Sequence, residues 1–189
     1  MKHLKKIKLS TVEDFLEIKL KPNTISIGWD VSVRSTGIAV IRTTDTYLII
    51  DKVHKITIPK NVVQIDALDL FINQLNEFAM EISKTYKIDI NIIEDCFMGQ
   101  NVNTLKALAR HSVLVYDKFK GLARKQEFLL PTSARNKVKF KKSSKKIKGH
   151  VLKKEIVEYI NNALDLKLKI KDQDIADACV LALVGLREG

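Results

Sequence analysis

Thr24-Ile-Ser-Ile-Gly-Trp-Asp-Val31 alternates with a period of two and is rich in β-branched and aromatic residues, which reads as a strand. Ile25, Ile27 and Trp29 fall on one face, and Ser26, Gly28 and Asp30 on the other. Small residues before Asp30 leave open space above its carboxylate, as a metal or a substrate would need. An aspartate here is also the ordinary opening of a turn, in this case over 30–36. Two further β-rich runs follow, at 37–42 and 47–58, with Thr43-Thr44-Asp45 as the turn between them. Three strands so closely connected predict an antiparallel meander.

Working outward, apolar residues recur at helical spacing from Val62 to Ile82, giving a helix that ends near Thr85. Residues 88–94 form a short apolar run ending in acids, the pattern of a buried central strand. A helix over 103–120 has Gly121 as its cap. A brief strand at 128–130 is stopped by Pro131; a basic loop spans 133–149; helices follow at 151–161 and 174–187. The order predicts an α/β fold whose mixed sheet carries helices on both faces. Residues 1–23 are set apart as a basic N-terminal arm or added helix, and 24–189 as the domain.

The 189 residues suit one domain and are too few for two large lobes closing on a nucleotide. That excludes a sugar-kinase-like ATPase, which Asp30 with Ser35-Thr36-Gly37 would otherwise suggest. No run of about 18 apolar residues occurs, so no spanning helix is expected and no membrane partner. Lys2, Lys5, Lys6 and Lys8 are followed by Thr11-Val12-Glu13-Asp14 rather than the apolar core of a signal peptide. A cytoplasmic protein, working on DNA, is the expectation. Cys96 and Cys179 form neither a metal-spaced cluster nor a disulfide framework. Net charge is +11, with 33 basic residues against 22 acidic ones. Such an excess favours a polyanionic partner, although lysine-rich composition alone also raises it.

Location decides between these sources of charge. Nine lysines fall between Lys137 and Lys154, at 137, 139, 141, 142, 145, 146, 148, 153 and 154, with no acid before Glu155. Ser143, Ser144 and Gly149 make the stretch read as a flexible loop that grips phosphates and runs into a helix N-terminus. Phe97-Met98, just beyond Glu94, are apolar residues where the chain leaves a strand. Core packing is their ordinary role, and stacking on an unpaired base is the functional one.

Four acids stand out. Glu94 ends an apolar strand, where it needs a cation, a donor or an open cleft, because burying it unpaired is costly. Asp174 and Asp177 share a face at the start of a largely apolar helix. Capping and the helix dipole explain each singly, and Asp172 would serve as cap equally well. Together the four could converge on one site, and hard oxygen ligands of this kind select Mg²⁺ or Mn²⁺. Two such ions would suit phosphodiester hydrolysis. His3, His54, His111 and His150 are scattered and offer zinc no set.

These residues resemble the RuvC family of Holliday-junction resolvases, which have the ribonuclease H-like fold. Ile27-Gly-Trp-Asp-Val-Ser-Val-Arg-Ser-Thr-Gly-Ile-Ala-Val40 resembles the family's first strand, turn and Thr-Gly strand. Ile93-Glu-Asp-Cys-Phe-Met-Gly-Gln-Asn101 resembles its second motif. Pro131-Thr-Ser-Ala-Arg-Asn-Lys137 resembles the segment that leads into the basic loop, and Asp174-Ile-Ala-Asp-Ala178 the opening of the last helix.

The resemblance implies a five-stranded mixed sheet, three antiparallel strands and then parallel ones, flanked by helices. It implies that Asp30, Glu94, Asp174 and Asp177 bind two Mg²⁺ ions, with Mn²⁺ as a substitute. It makes Lys148 a catalytic lysine at the scissile phosphate and Phe97 the aromatic that engages bases at the junction centre. Lys137, Lys139, Lys141, Lys142, Lys145, Lys146 and Lys148 become the DNA-binding set. A homodimer cutting branched DNA, above all four-way junctions, to leave 5′-phosphates is the implied activity. Val31-Ser32 where bacterial members carry Pro-Gly, the denser lysine loop and the extra arm are departures. They look more like the diverged phage resolvases, without a dedicated helicase partner. The alternatives are a non-catalytic junction-binding protein, which clustered acids argue against, and a ribonuclease H-like nuclease of structured RNA.

Overall fold

A computed structural model describes residues 4–96, 102–143 and 149–188, with Gln64 through its backbone only. In chain order the first elements are β1 (Lys5–Lys8), α1 (Leu9–Leu16), β2 (Ile25–Asp30), β3 (Ser35–Thr43), β4 (Tyr47–Thr57) and α2 (Gln64–Thr85). Then come β5 (Ile88–Glu94), α3 (Val102–Phe119), β6 (Ala123–Leu129), α4 (Pro131–Lys137), α5 (Gly149–Leu164) and α6 (Gln173–Leu186). The strands form one sheet in the order β1-β4-β3-β2-β5-β6. β2, β3 and β4 are the expected antiparallel meander, and β5 and β6 add parallel to β2.

The period-two reading of β2 fixes both layers. Ile27 and Trp29 are fully buried against α2 and α3, with Phe71, Phe78 and Phe119 around them. Trp29 packs edge-on to Phe78 and Phe119 and donates from Nε1 to Asn91 Oδ1 at 2.7 Å. Asn91 passes the bond on from Nδ2 to Gln126 Oε1 at 2.7 Å, so this fully buried amide is satisfied. The opposite face is covered by α6, with α1, α4 and α5 packed beyond it.

The sheet has six strands rather than five, because residues 5–8 pair with β4 as an edge strand. Lys5-Lys6-Ile7-Lys8 shows little apolar content, since an edge strand buries one face at most, and its lysines blunt the open edge. Helix α1 then buries Leu9, Val12 and Leu16, spaced as one helical face. The segment set apart as an arm thus contributes to the same core as α5 and α6. Strand β6 is longer than expected, beginning at Ala123. Residues 131–137, read as the start of a basic loop, form α4. Pro131 stops the strand and also sits in the first turn of that helix, where its missing N–H costs nothing.

Candidate active site

Glycines decide how near α6 lies to the sheet. A Cβ on Gly28 would stand 2.1 Å from the Ala178 carbonyl oxygen, and one on Gly37 would stand 2.0 Å from that of Asp174. The helix backbone therefore rests directly on β2 and β3. Its first turn lies over Gly37, the cross-strand partner of Asp30. This close approach brings Asp174 and Asp177 to the carboxyl end of β2, where Asp30 projects towards them.

Glu94 arrives from the neighbouring parallel strand, since Trp29 pairs with Ile93 and both strands end one residue later. Asp30 and Glu94 are hydrogen-bonded through their side chains, which requires a proton between two carboxylates. Desolvation, then that bond, then the charges of Glu94, Asp177 and Asp174 push Asp30 well above the usual carboxylate range. Desolvation also raises Glu94, while the bond from Asp30 pulls it back. The raised proton affinity belongs to the buried pair rather than to either residue alone. Burial raises Asp177 despite Arg135, whose Nη2 and Nε lie 2.9 and 3.3 Å from Asp177 Oδ1. Asp174 Oδ2 accepts from Ser35 Oγ at 2.5 Å and faces Lys55 Nζ at 3.2 Å.

Glu94, Asp174 and Asp177 all lie near enough to Asp30 for their charges to act on it. Among the described residues, no three His, Cys, Asp or Glu side chains are grouped as a ready metal-binding set. The reason is local: Asp177 is engaged by Arg135, Asp174 by Ser35 and Lys55, and Asp30 by Glu94. The donor set nevertheless fits a hard divalent cation. It is all carboxylate oxygen, and burial together with the neighbouring acids raises Asp30, Glu94 and Asp177, strain that a cation would relieve.

The sign of the resulting pH dependence follows from linkage. Carboxyls with raised folded values take protons before the unfolded chain does, so their contribution is fully present below the ordinary range of about 4. It is lost as pH rises through the raised values. In chelator, the melting temperature of the wild type should therefore fall relative to Asp30→Asn as pH rises above the ordinary carboxylate range. Parallel melting curves above that range would refute the shared proton.

Lys139, Lys141 and Lys142 are exposed, whereas Lys137 is half-buried with Nζ 3.8 Å from Glu127. Lys141 and Lys142 line a groove of about 410 Å³ with Thr132, Arg135, Asn136 and Phe140. Arg135 joins this basic groove to the acids, because the same side chain holds Asp177. Phe97, Lys145, Lys146 and Lys148 lie outside the described residues. Arg135, Lys55 and Ser35 were missed as site residues. Arg135 stands in a quoted motif, but nothing in its spacing points to Asp177.

The family of crossover junction endodeoxyribonuclease RuvC matches residues 26–185. No curated protein matches the sequence. Among solved structures, Thermus thermophilus RuvC in complex with a Holliday junction substrate aligns with a TM-score of 0.64 at 11% identity. That alignment covers 85% of this chain and 92% of the other. A second Thermus thermophilus RuvC structure also gives 0.64 at 11% identity, covering 87% and 99%. At that identity the likeness shows the fold. The family match spans all four acids, and on it the chain belongs to the RuvC family of crossover junction endodeoxyribonucleases.

Proposed function

We propose that this endonuclease resolves four-way junctions and related branched DNA by paired phosphodiester hydrolysis, with Asp30, Glu94, Asp174 and Asp177 as its metal-binding acids. The convergence of those acids at the strand ends, beside a lysine-lined groove, carries the reading. Two Mg²⁺ ions, or Mn²⁺ in their place, would supply Lewis acidity at the scissile phosphate and charge for the leaving oxygen. The chain's own part is to hold the carboxylates in register. β2 and β5 present Asp30 and Glu94 side by side, and the first turn of α6 presents Asp174 and Asp177 above them. Lys139, Lys141 and Lys142 grip the backbone beside the site, where phosphate contacts fix position rather than sequence. Lys148 and Phe97 keep the roles that the family resemblance gives them, at the scissile phosphate and the junction centre.

A homodimer fits a two-fold junction. Val102, Val113 and Tyr116 are exposed along α3, and Phe128 stacks on Tyr116 with ring centres 5.5 Å apart. This apolar stripe is the surface we assign to a second copy of the chain.

The test is cleavage of an end-labelled immobile four-way junction, against linear duplex, forked DNA and structured RNA, with Mg²⁺, Mn²⁺ or EDTA. Paired, symmetric, metal-dependent nicks ending in 5′-phosphates are expected. Tight junction binding without cutting in either metal would replace the reading with a junction-binding protein. Cutting of RNA alone would replace it with an RNA nuclease. In the same binding assay, Lys141→Ala with Lys142→Ala should lower the slope of log affinity against log salt by about 1.8, roughly 0.9 for each lost phosphate contact on duplex arms. An unchanged slope would remove those lysines from the interface.

A further inference from the structure

Three strands set a lysine, a glycine and an aspartate in one row. Lys55 on β4 pairs with Gly37 on β3, and Gly37 pairs with Asp30 on β2. Cross-strand partners share a face, so all three positions look towards α6. Gly37 contributes no side chain, and the backbone of Asp174 occupies the space a Cβ would need. Lys55 reaches across that gap. Its Nζ lies 3.2 Å from Asp174 Oδ2 and donates to the Lys171 carbonyl oxygen at 2.9 Å. Both partners are largely shielded from solvent: the Lys55 side chain is 23% exposed and that of Asp174 15%. Ser35 Oγ donates to the same Oδ2, and Gln173 Nε2 donates to Oδ1 at 3.1 Å. A lysine on a strand outside all four sequence motifs thus holds one of the four acids.

We propose that Lys55 is a built-in counter-cation of the acidic site, neutralising Asp174 when no divalent ion is bound and competing with the ion for that carboxylate. The inference rests on the reading of the four acids as a metal site. A divalent cation drawn to Asp174 comes within a few ångströms of a partly buried ammonium, and the two repel with little screening. The Lys171 carbonyl gives the ammonium a second partner, so Lys55 stays near the site when Asp174 turns to the ion. Lys55 is accordingly a positioning residue, and the property it sets is the affinity for metal.

The consequence has a sign that a merely structural lysine would not give. Removing its charge should tighten metal binding, whereas loosening the scaffold around Asp174 would weaken it. The experiment is calorimetric titration of Mn²⁺ into the full chain without DNA, for wild type, Lys55→Met, Lys55→Gln, Lys55→Arg and Asp30→Asn. Lys55→Met and Lys55→Gln should each bind Mn²⁺ about tenfold more tightly, as one neighbouring unit charge moves a carboxylate's proton affinity by about a decade or more. Lys55→Arg, which keeps the charge, should stay within about twofold of wild type on the same argument. Two neutral variants guard against one of them failing to fold. Equal or weaker binding by the folded neutral variants, with wild-type and Asp30→Asn behaviour as expected, overturns the counter-cation and leaves the metal site standing. Absence of Mn²⁺ binding by the wild type, or binding indifferent to Asp30→Asn, overturns both.

Discussion

Asp30→Asn should abolish junction cleavage while leaving junction binding intact or tighter. The substitution replaces one carboxylate oxygen by an amide, which is a poor ligand for a hard cation and carries no charge. Loss of an electrostatic group acting directly at the reacting centre costs on the order of 10³-fold in rate, or ~4 kcal/mol of barrier. Binding should not suffer, because the amide brings no negative charge to a site that receives phosphates. Folding should not suffer. Burial and the adjoining Glu94 raise the proton affinity of Asp30, and an asparagine amide can donate to Glu94 from the same position. The comparison therefore needs three readings on one preparation: cleavage rate, junction affinity in chelator, and melting temperature with and without Mn²⁺. Cleavage within a few-fold of wild type would sink the site. Loss of binding together with cleavage would show a folding defect instead.

Gly37→Ala should slow cleavage by about a hundredfold, with a smaller effect on stability. The added methyl would lie 2.0 Å from the Asp174 carbonyl oxygen and 2.3 Å from its carbonyl carbon. Both are backbone atoms of a helix, so no side chain can swing aside, and the first turn of α6 has to rise from the sheet. Overpacking of this kind costs about 1–3 kcal/mol. A displacement of about 1 Å in a catalytic group costs on the order of 10²-fold. Gly28→Ala is the control, because its methyl meets Ala178 and Ala182 further along the helix. That variant should lose more stability for less specific damage at Asp174. Rates measured well below both melting temperatures separate the two effects. If Gly37→Ala cuts within a few-fold of wild type, the glycine does not set the height of the helix.

Much of this site could be read from the sequence, for reasons that differ by residue. Asp30 and Glu94 were legible because each ends an apolar strand, and period two states which face it leaves on. Asp174 and Asp177 were legible because two acids open an otherwise apolar helix. Lys55 was not legible. Its place opposite Gly37 depends on the register of β3 against β4, which shifts at a bulge between Val40 and Ile41. Counting residues along the chain cannot locate such a shift. Arg135 was hidden for another reason: α4 buries little besides Ala134, so no helical period marks it and its basic residues read as loop. Strand β1 failed in the same way, with Ile7 as the one apolar residue among three lysines. The lysines at 145, 146 and 148 and Phe97 stand outside the described residues.

The hydrogen bond from Trp29 to Asn91 closes a loop of 62 residues, and that from Ser35 to Asp174 closes one of 139. Contacts so far apart in sequence form slowly, because the chain gives up its freedom before they stabilise anything. The β2–β4 meander can assemble locally, but its aspartate gains its neighbours only when β5 and α6 dock. The four acids therefore come together only after segments far apart in sequence have docked. A half-folded molecule, however basic its surface, can hold DNA without cutting it. The single tryptophan sits at the β2–β5 seam on the face covered by α2 and α3, so its emission follows the joining of β5 to the meander.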